Sequence, residues 1–268
     1  VSNRSEENPR GAPARHGVPS LAVAREATRA ALGFTRTQEP VTAAQLSQFP
    51  GVTTRIIERR PGRLAIGQAD GIQARSVETF QAFGFAERIT AEAYRITEMA
   101  FWKPDPADLS KIVRTARAVD DPAGISEFPH LIVNQARVLD YFAEFMAHSP
   151  SRMKPDFGYE FMGLKVTGEG EYPVEVTLLH TSGAEEGQQR VIRAKYVVGA
   201  DGARSKVRSS IGCTLAGDQA NHAWGVMDVL AATDFPDIRL KCAIQSGAGG
   251  SILLIPREGG HLFRMYVD

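Results

Sequence analysis

One stretch constrains the fold more than any other: Tyr196-Val-Val-Gly-Ala-Asp-Gly-Ala-Arg-Ser-Lys-Val-Arg208. The apolar, β-branched run Val191 to Val198 predicts a buried strand. It ends in Gly199-Ala200-Asp201-Gly202, and Ser205 to Ile211 predicts a helix opening directly behind it. Small residues at a strand end let the backbone approach a ligand closely. Asp201 offers a carboxylate to a sugar or ribityl hydroxyl, and the N-terminus of the following helix favours phosphate. A plain glycine-rich strand-to-helix turn would also read G-x-D-G. The full set of Gly199, Asp201, Gly202, Ser205 and Arg208 points to a ligand instead.

A second segment has the complementary form. Thr42 to Phe49 places Ala43, Leu46 and Phe49 on one helical face, Pro50-Gly51 ends it, and Val52 to Glu58 reads as a strand. Helix, tight turn and strand closing on an acid form the second half of a dinucleotide-binding βαβ unit. There Glu58 can accept both ribose hydroxyls of an adenosine; the plain alternative is a solvated acid beside Arg59 and Arg60. Gly67-Gln-Ala-Asp-Gly-Ile72 puts Asp70 among small residues before a predicted helix over 72–83. Asp70 is either the cap of that helix or a carboxylate aimed into a pocket.

Phe85 to Ala93 predicts a short helix, Ile96 to Phe101 a strand, and Leu109 to Asp121 a polar excursion. The strand Pro129 to Asn134 leads into the helix Gln135 to Ala147. Strands follow over 160–167 and 174–180. A second, mostly antiparallel sheet takes 223–230, 238–245, 251–256 and 261–267. In its last strand Arg264 and Tyr266 lie two apart and share a face. A buried tyrosine offering its hydroxyl can orient a phenol or carboxylate, although a cross-strand pair on an exposed face reads the same way. His130 and Lys241 carry no local signal that separates chemistry from structure. The histidines lack metal-ligand spacing, and there is no G-x-S-x-G.

Composition excludes several classes. Over 268 residues, Lys+Arg and Asp+Glu are each 31, so nothing favours a polyanion such as nucleic acid. Cys213 and Cys242 have no CxxC spacing and read as reduced thiols of a cytoplasmic protein. No apolar run approaches the roughly 18 residues that span a bilayer, so a soluble protein without a membrane partner is expected. Val1 to Gly17 reads as a disordered tail, and Pro19 to Leu32, rich in Ala and Arg, as a short helix.

Taken together, GQADGI, PHLIVNQARV, YVVGADGARSKVR and IPREGGHLFRMYVD resemble the FAD-dependent aromatic hydroxylases of the phenol 2-monooxygenase group. FWKPDP, SEFPH, WGVMDV and TDFPDIR are most similar to its members acting on 3-hydroxybenzoate. The resemblance covers about 42–268. It implies an α/β fold, with an FAD-binding Rossmann-like domain interleaved with an antiparallel-sheet substrate domain. The expected domains are an atypical segment over 1–41, the FAD-binding domain over 42–215 with inserted segments at about 94–130, and the start of the substrate domain over 216–268.

The resemblance also implies roles. Glu58, Arg59, Gln68, Gln135, Gly199, Asp201 and Gly202 would bind FAD, the segment around Asp201 also serving NADPH. Asp70, Tyr266 and Arg264 would be catalytic, and His130 and Lys241 would meet the substrate, Lys241 through a carboxylate. NADPH and O2 would be co-substrates, the substrate a small phenolic acid, and the intact member a homodimer. The family opens with a strand and a G-x-G-x-x-G turn just before Thr42, whereas Gly33 to Pro40 contains neither. First strand and glycine turn are therefore expected to be missing, residues 1–41 to be foreign to the fold, and the chain to be incomplete at both ends. Weak FAD binding follows.

Overall fold

The computed structural model describes residues 27–33, 38–65, 67, 69–218 and 223–268. The expected tail over 1–17 and Gln68 lie outside them. The elements, in chain order, are β1 (Ala27–Gly33), α1 (Gln38–Leu46), β2 (Thr54–Glu58), β3 (Gly71–Ile72), α2 (Ala74–Ala82), α3 (Ala86–Glu92), β4 (Tyr94–Ile96), β5 (Glu98–Asp105) and β6 (Asp108–Val119). There follow β7 (His130–Ile132), α4 (Gln135–His148), β8 (Pro155–Phe157), β9 (Tyr159–Val166), β10 (Val174–His180), β11 (Gln189–Val198) and α5 (Lys206–Ser210). The chain closes with β12 (Gly225–Leu230), β13 (Lys241–Gln245), β14 (Ser251–Pro256) and β15 (Leu262–Val267).

The strands form three sheets, ordered β8-β2-β1-β11-β10-β9, β12-β15-β14-β13-β5-β6 and β3-β7-β4. In the first, β8, β2, β1 and β11 run parallel, and β10 and β9 extend it antiparallel. This corrects the expectation of a missing first strand. Ala27–Gly33 fills the central slot, with Leu32 opposite Ile56 on one side and Val198 on the other. The slot overrides the helical preference of an Ala-rich run: an empty position would leave the facing backbone groups of both neighbours unpaired. The part of the expected helix over 27–32 is thus strand, and α1 starts four residues earlier than the predicted Thr42. The link between β1 and α1 contains Phe34-Thr-Arg-Thr37 and no glycine after Gly33.

Helices α1, α2, α3 and α4 share one apolar core with Ile56 of β2. Helix α4 starts where Asn134 accepts from the Ala136 amide at 2.9 Å, and it buries Val138, Tyr141, Phe142 and Met146 at helical spacing. Phe142 meets Phe80 of α2 and Phe85 edge-on, with ring centroids 5.8 and 5.0 Å apart. Truncating Phe142, which is fully buried, would cost about 3–5 kcal/mol.

The polar excursion is β6, a 12-residue edge strand antiparallel to β5. A strand with one partner and solvent around it carries no apolar alternation. Because β5 pairs with β13, the stretch from Glu98 to Val119 belongs to the second sheet. Strand β8, at the opposite edge of the first sheet, is short and had no sequence signal.

Candidate active site

Two clusters of the expected residues form, one at the strand ends of the first sheet and one between the second sheet and β7.

At the first, Glu58 ends β2 and is 3% exposed. Its carboxylate accepts from the Arg60 amide at 2.8 Å and the Arg60 guanidinium at 3.0 Å. Burial pushes its carboxyl above the ordinary range, against the pull of Arg60 and Arg59. It borders a cleft of about 40 Å3 with Gly62, Leu139 and Phe157. On the neighbouring side of β1, Gly199 follows β11 so close to α5 that an added Cβ would stand 2.5 Å from Val207 Cβ. Asp201 accepts from the Lys206 and Val207 amides at 2.7 and 3.1 Å and from the Ser205 hydroxyl. Burial pushes its carboxyl up, but the Ser205 hydroxyl and these amides outweigh burial and hold it below the ordinary range. Asp201 thus takes the first two amides of α5, whose N-cap is Ser205, while Gly202, at φ +80°, turns the chain beside it.

Gln135, the first residue of α4, lies against Gly67, where any side chain would collide with the Gln135 Cβ. Asn134 ties the two together, since its side chain also accepts from the Gly67 amide at 3.3 Å. From Gly67 the chain runs to Asp70, whose carbonyl accepts from the Val133 amide at 3.0 Å. Gly71 then pairs with Ile132 of β7. Asp70 does not cap α2: Gln73 occupies that position and makes no side-chain cap.

Asp70 is 4% exposed and is the centre of the second cluster. Its Oδ2 meets Arg257 Nη1 at 2.7 Å and also Arg264 Nη1. Asp70 Oδ1 is buried with no hydrogen-bond partner among the described residues. Arg257 and Arg264 are themselves 3% and 5% exposed. Arg264 forks onto Asp228, Nε to Oδ1 at 2.7 Å and Nη2 to Oδ2 at 2.8 Å, because Asp228 lies directly opposite it in the β12–β15 register. Arg257 reaches Asp228 at 3.2 Å and Glu258 at 2.7 Å. Burial pushes the Asp70 carboxyl above its ordinary range, Arg257 and Arg264 pull it back, and Glu258 and Asp228 reinforce the rise. Tyr266, on the same strand, is among the groups that favour the charged form of Arg264, after Asp228 and Asp70.

His130 adjoins this cluster. It is buried, its Nδ1 lies 3.1 Å from Asp120, and its Nε2 would be 3.7 Å from a Cβ on Gly71. The structure therefore brings Asp70, Arg264, Tyr266 and His130 to one region. Lys241 opens β13 opposite Met99, and the ion pairs around Asp70 do not include it. Arg59 contributes its carbonyl to the Thr181 hydroxyl at 2.7 Å. Sequence reasoning missed Arg257, Asp228 and Asn134. A lone acid inside the apolar run Gly225-Val-Met-Asp-Val-Leu230 was the available signal for Asp228. Among the described residues no group of acids, histidines or cysteines is arranged to hold a metal, and no helix is long and apolar enough to cross a membrane.

A dinucleotide-type parallel sheet thus stands in one chain with an antiparallel sheet whose arginines hold the buried Asp70 carboxylate. The chain belongs to the FAD binding domain family whose model matches residues 41–268; β1 lies outside the matched stretch. It is 53% identical over 227 residues to 3-hydroxybenzoate 4-monooxygenase of Comamonas testosteroni, covering 84% of this chain and 35% of that protein. It is 43% identical over 232 residues to FAD-dependent monooxygenase terD of Aspergillus terreus, covering 84% and 36%. The chain thus spans about a third of the length of these relatives. Its fold matches p-nitrophenol 4-monooxygenase PnpA from Pseudomonas putida with a TM-score of 0.73 at 17% identity, covering 91% of this chain and 58% of that one. The flavin-dependent monooxygenase PieE matches equally, at a TM-score of 0.73 and 19% identity, over 90% and 43%.

Proposed function

We propose that this chain carries the cofactor and substrate sites of a flavin-dependent monooxygenase that hydroxylates a phenolic acid resembling 3-hydroxybenzoate, with NADPH and O2. The observation that carries the reading is the Asp70 carboxylate: beside two buried arginines, its Oδ1 has no hydrogen-bond partner among the described residues. Such an orphaned acceptor costs about 1–3 kcal/mol, and a substrate hydroxyl would satisfy it. The 53% identical relative is named for a substrate bearing that group.

Three groups of residues would hold FAD. Glu58 would take the adenosine ribose with Arg59 beside it. Gln135 and Gln68 would flank the flavin, and Gly199, Asp201 and Gly202 would face the ribityl-pyrophosphate portion. Bound FAD supplies reduction by NADPH and the activation of dioxygen.

The protein's own part is binding, orientation and proton handling. Asp70 accepts the proton of the substrate hydroxyl, which makes the ring more electron-rich at the carbon to be hydroxylated. Burial that raises its carboxyl brings its proton affinity closer to that of a phenol and improves it as a base. Arg264 and Arg257 hold the Asp70 carboxylate in place, Tyr266 orients the ring from the same strand, and His130 and Lys241 complete the substrate contacts. Burial of the cluster excludes water from the acid. The reading includes a cytoplasmic homodimer for the intact protein.

A second reading, a chain that keeps this fold but holds FAD weakly, is favoured by the glycine-free link Phe34 to Thr37. Titration with FAD, followed by NADPH oxidation and chromatography of the products, separates the two. Substrate-dependent NADPH oxidation with a hydroxylated 3-hydroxybenzoate supports the first reading. FAD binding without any such product removes it.

A further inference from the structure

We propose that Asp228 is a positioning residue for Asp70: by gripping Arg264 through two of its nitrogens, it apportions that arginine so that Asp70 keeps an unshared oxygen for the substrate. The inference rests on the reading of Asp70 as the group that meets the substrate hydroxyl.

The geometry is specific. Asp228 takes Nε and Nη2 of Arg264, in the fork that guanidinium and carboxylate planes favour. Arg264 Nη1 turns to Asp70, on the same Oδ2 that Arg257 Nη1 reaches. Arg257 is divided in the same way: its other nitrogens go to Glu258 at 2.7 and 3.1 Å and its Nη1 is shared with Asp228. Three carboxylates therefore compete for two guanidinium groups. Asp70, the most buried of the three, meets both arginines through Oδ2, and its Oδ1 has no hydrogen-bond partner among the described residues.

An arginine without the Asp228 fork could turn a second nitrogen to Asp70 and cover both oxygens. That would stabilise the carboxylate and blunt it as an acceptor. The charged or titratable groups facing Asp70 are Arg257 after β14, Arg264 and Tyr266 on β15, Asp228 on β12 and Glu258, with His130 of β7 beyond Gly71. Removing the Asp228 charge acts on Asp70 in the same direction as releasing Arg264. Both favour the ionised form.

The test uses the full chain labelled with [γ-13C]aspartate, titrated by NMR without ligand, the Asp70 signal being assigned by its loss in Asp70→Asn. Asp228→Asn keeps the shape and removes the charge, and the Asp70 signal should then titrate at lower pH than in the wild type. Asp228→Glu keeps the charge, and the midpoint should return towards the wild-type value. Affinity for 3-hydroxybenzoate at pH 7 should fall roughly tenfold in Asp228→Asn, since a better-compensated carboxylate is a poorer acceptor. An Asp70 midpoint that is unchanged in folded Asp228→Asn overturns the proposal, as does one that moves equally in both variants. If Asp228→Asn does not fold, Asp228→Ser is read instead. Failure of both to fold also overturns it, because Asp228 would then be holding the sheet together rather than aiming an arginine. The NMR arm needs no ligand, so a wild-type chain that ignores 3-hydroxybenzoate defeats the substrate reading and leaves the Asp70–Asp228 coupling standing.

Discussion

Replacing Asp70 by Asn separates a site residue from a keystone of the fold. A buried ion pair that loses one partner normally costs about 3–5 kcal/mol, because the other charge is stranded. Here neither arginine would be stranded: Arg264 keeps its fork to Asp228, and Arg257 keeps Asp228 and Glu258. The wild type, in contrast, holds an orphaned carboxylate oxygen that costs about 1–3 kcal/mol. Gain and loss nearly cancel, so Asp70→Asn should stay within about 1 kcal/mol of the wild type at pH 7, on the stabilising side. In a chain of this size that is about 2–4 °C in Tm. The pH dependence follows from the raised Asp70 carboxyl. Its contribution to stability is fully present below the unfolded pKa and is lost as pH rises through the folded one. Asn does not titrate, so the two proteins should melt alike near pH 3, about one unit below an unperturbed Asp. The variant should gain on the wild type as pH rises past the ordinary carboxylate range. Thermal melts followed by circular dichroism across pH measure this. A loss above 3 kcal/mol at pH 7, or a gap that widens towards acid, would refute the reasoning.

Four further outcomes are expected. Asn134→Ala removes acceptors for the Ala136 and Gly67 amides and should cost about 1–2 kcal/mol by urea unfolding. Gly199→Ala must push Val207 and α5 away from β11, costing about 1–3 kcal/mol in the same measurement. Asp201→Ala should lower stability at neutral pH, and the difference should shrink as pH falls. The Asp201 carboxyl is depressed, so its contribution is present above the unfolded pKa and lost as pH falls through the folded one. Burial pushes the Cys242 thiol up to about 12, whereas Cys213 is exposed; a thiol reagent should therefore label one cysteine in the native chain and two in denaturant.

Much of the frame was legible in the sequence because it rests on short-range pattern. The apolar spacing of α4, the alternating strand β10, the apolar run of β14, and the small residues between β11 and α5 lie within one element or one turn. The central strand β1 was not legible. Ala-Thr-Arg-Ala-Ala-Leu-Gly prefers helix on its own, and it is extended because β2 and β11 offer a slot one strand wide. The edge strand β6 was hidden for a related reason, since a strand exposed around most of its surface leaves no alternation to read. At the site, the pattern around Asp70, Arg264 and Tyr266 could be quoted from motifs. The ion cluster could not, because Asp70 and Arg257 are far apart in sequence and meet only where the segment before β3 approaches the second sheet. Arg257, in Pro256-Arg-Glu-Gly-Gly260, has the local surroundings of a turn charge and is nearly inaccessible.

The most direct measurement of the central claim is the discrimination of one hydroxyl. Calorimetric titration of the FAD-supplemented chain with 3-hydroxybenzoate and with benzoate compares ligands that differ only in the group assigned to Asp70. A hydrogen bond to a charged acceptor is worth about 1.5–3 kcal/mol, so 3-hydroxybenzoate should bind roughly 10–100-fold more tightly, and Asp70→Asn should erase most of that preference. Equal affinities for the two acids in the wild-type chain, or a preference that survives Asp70→Asn intact, would contradict the account.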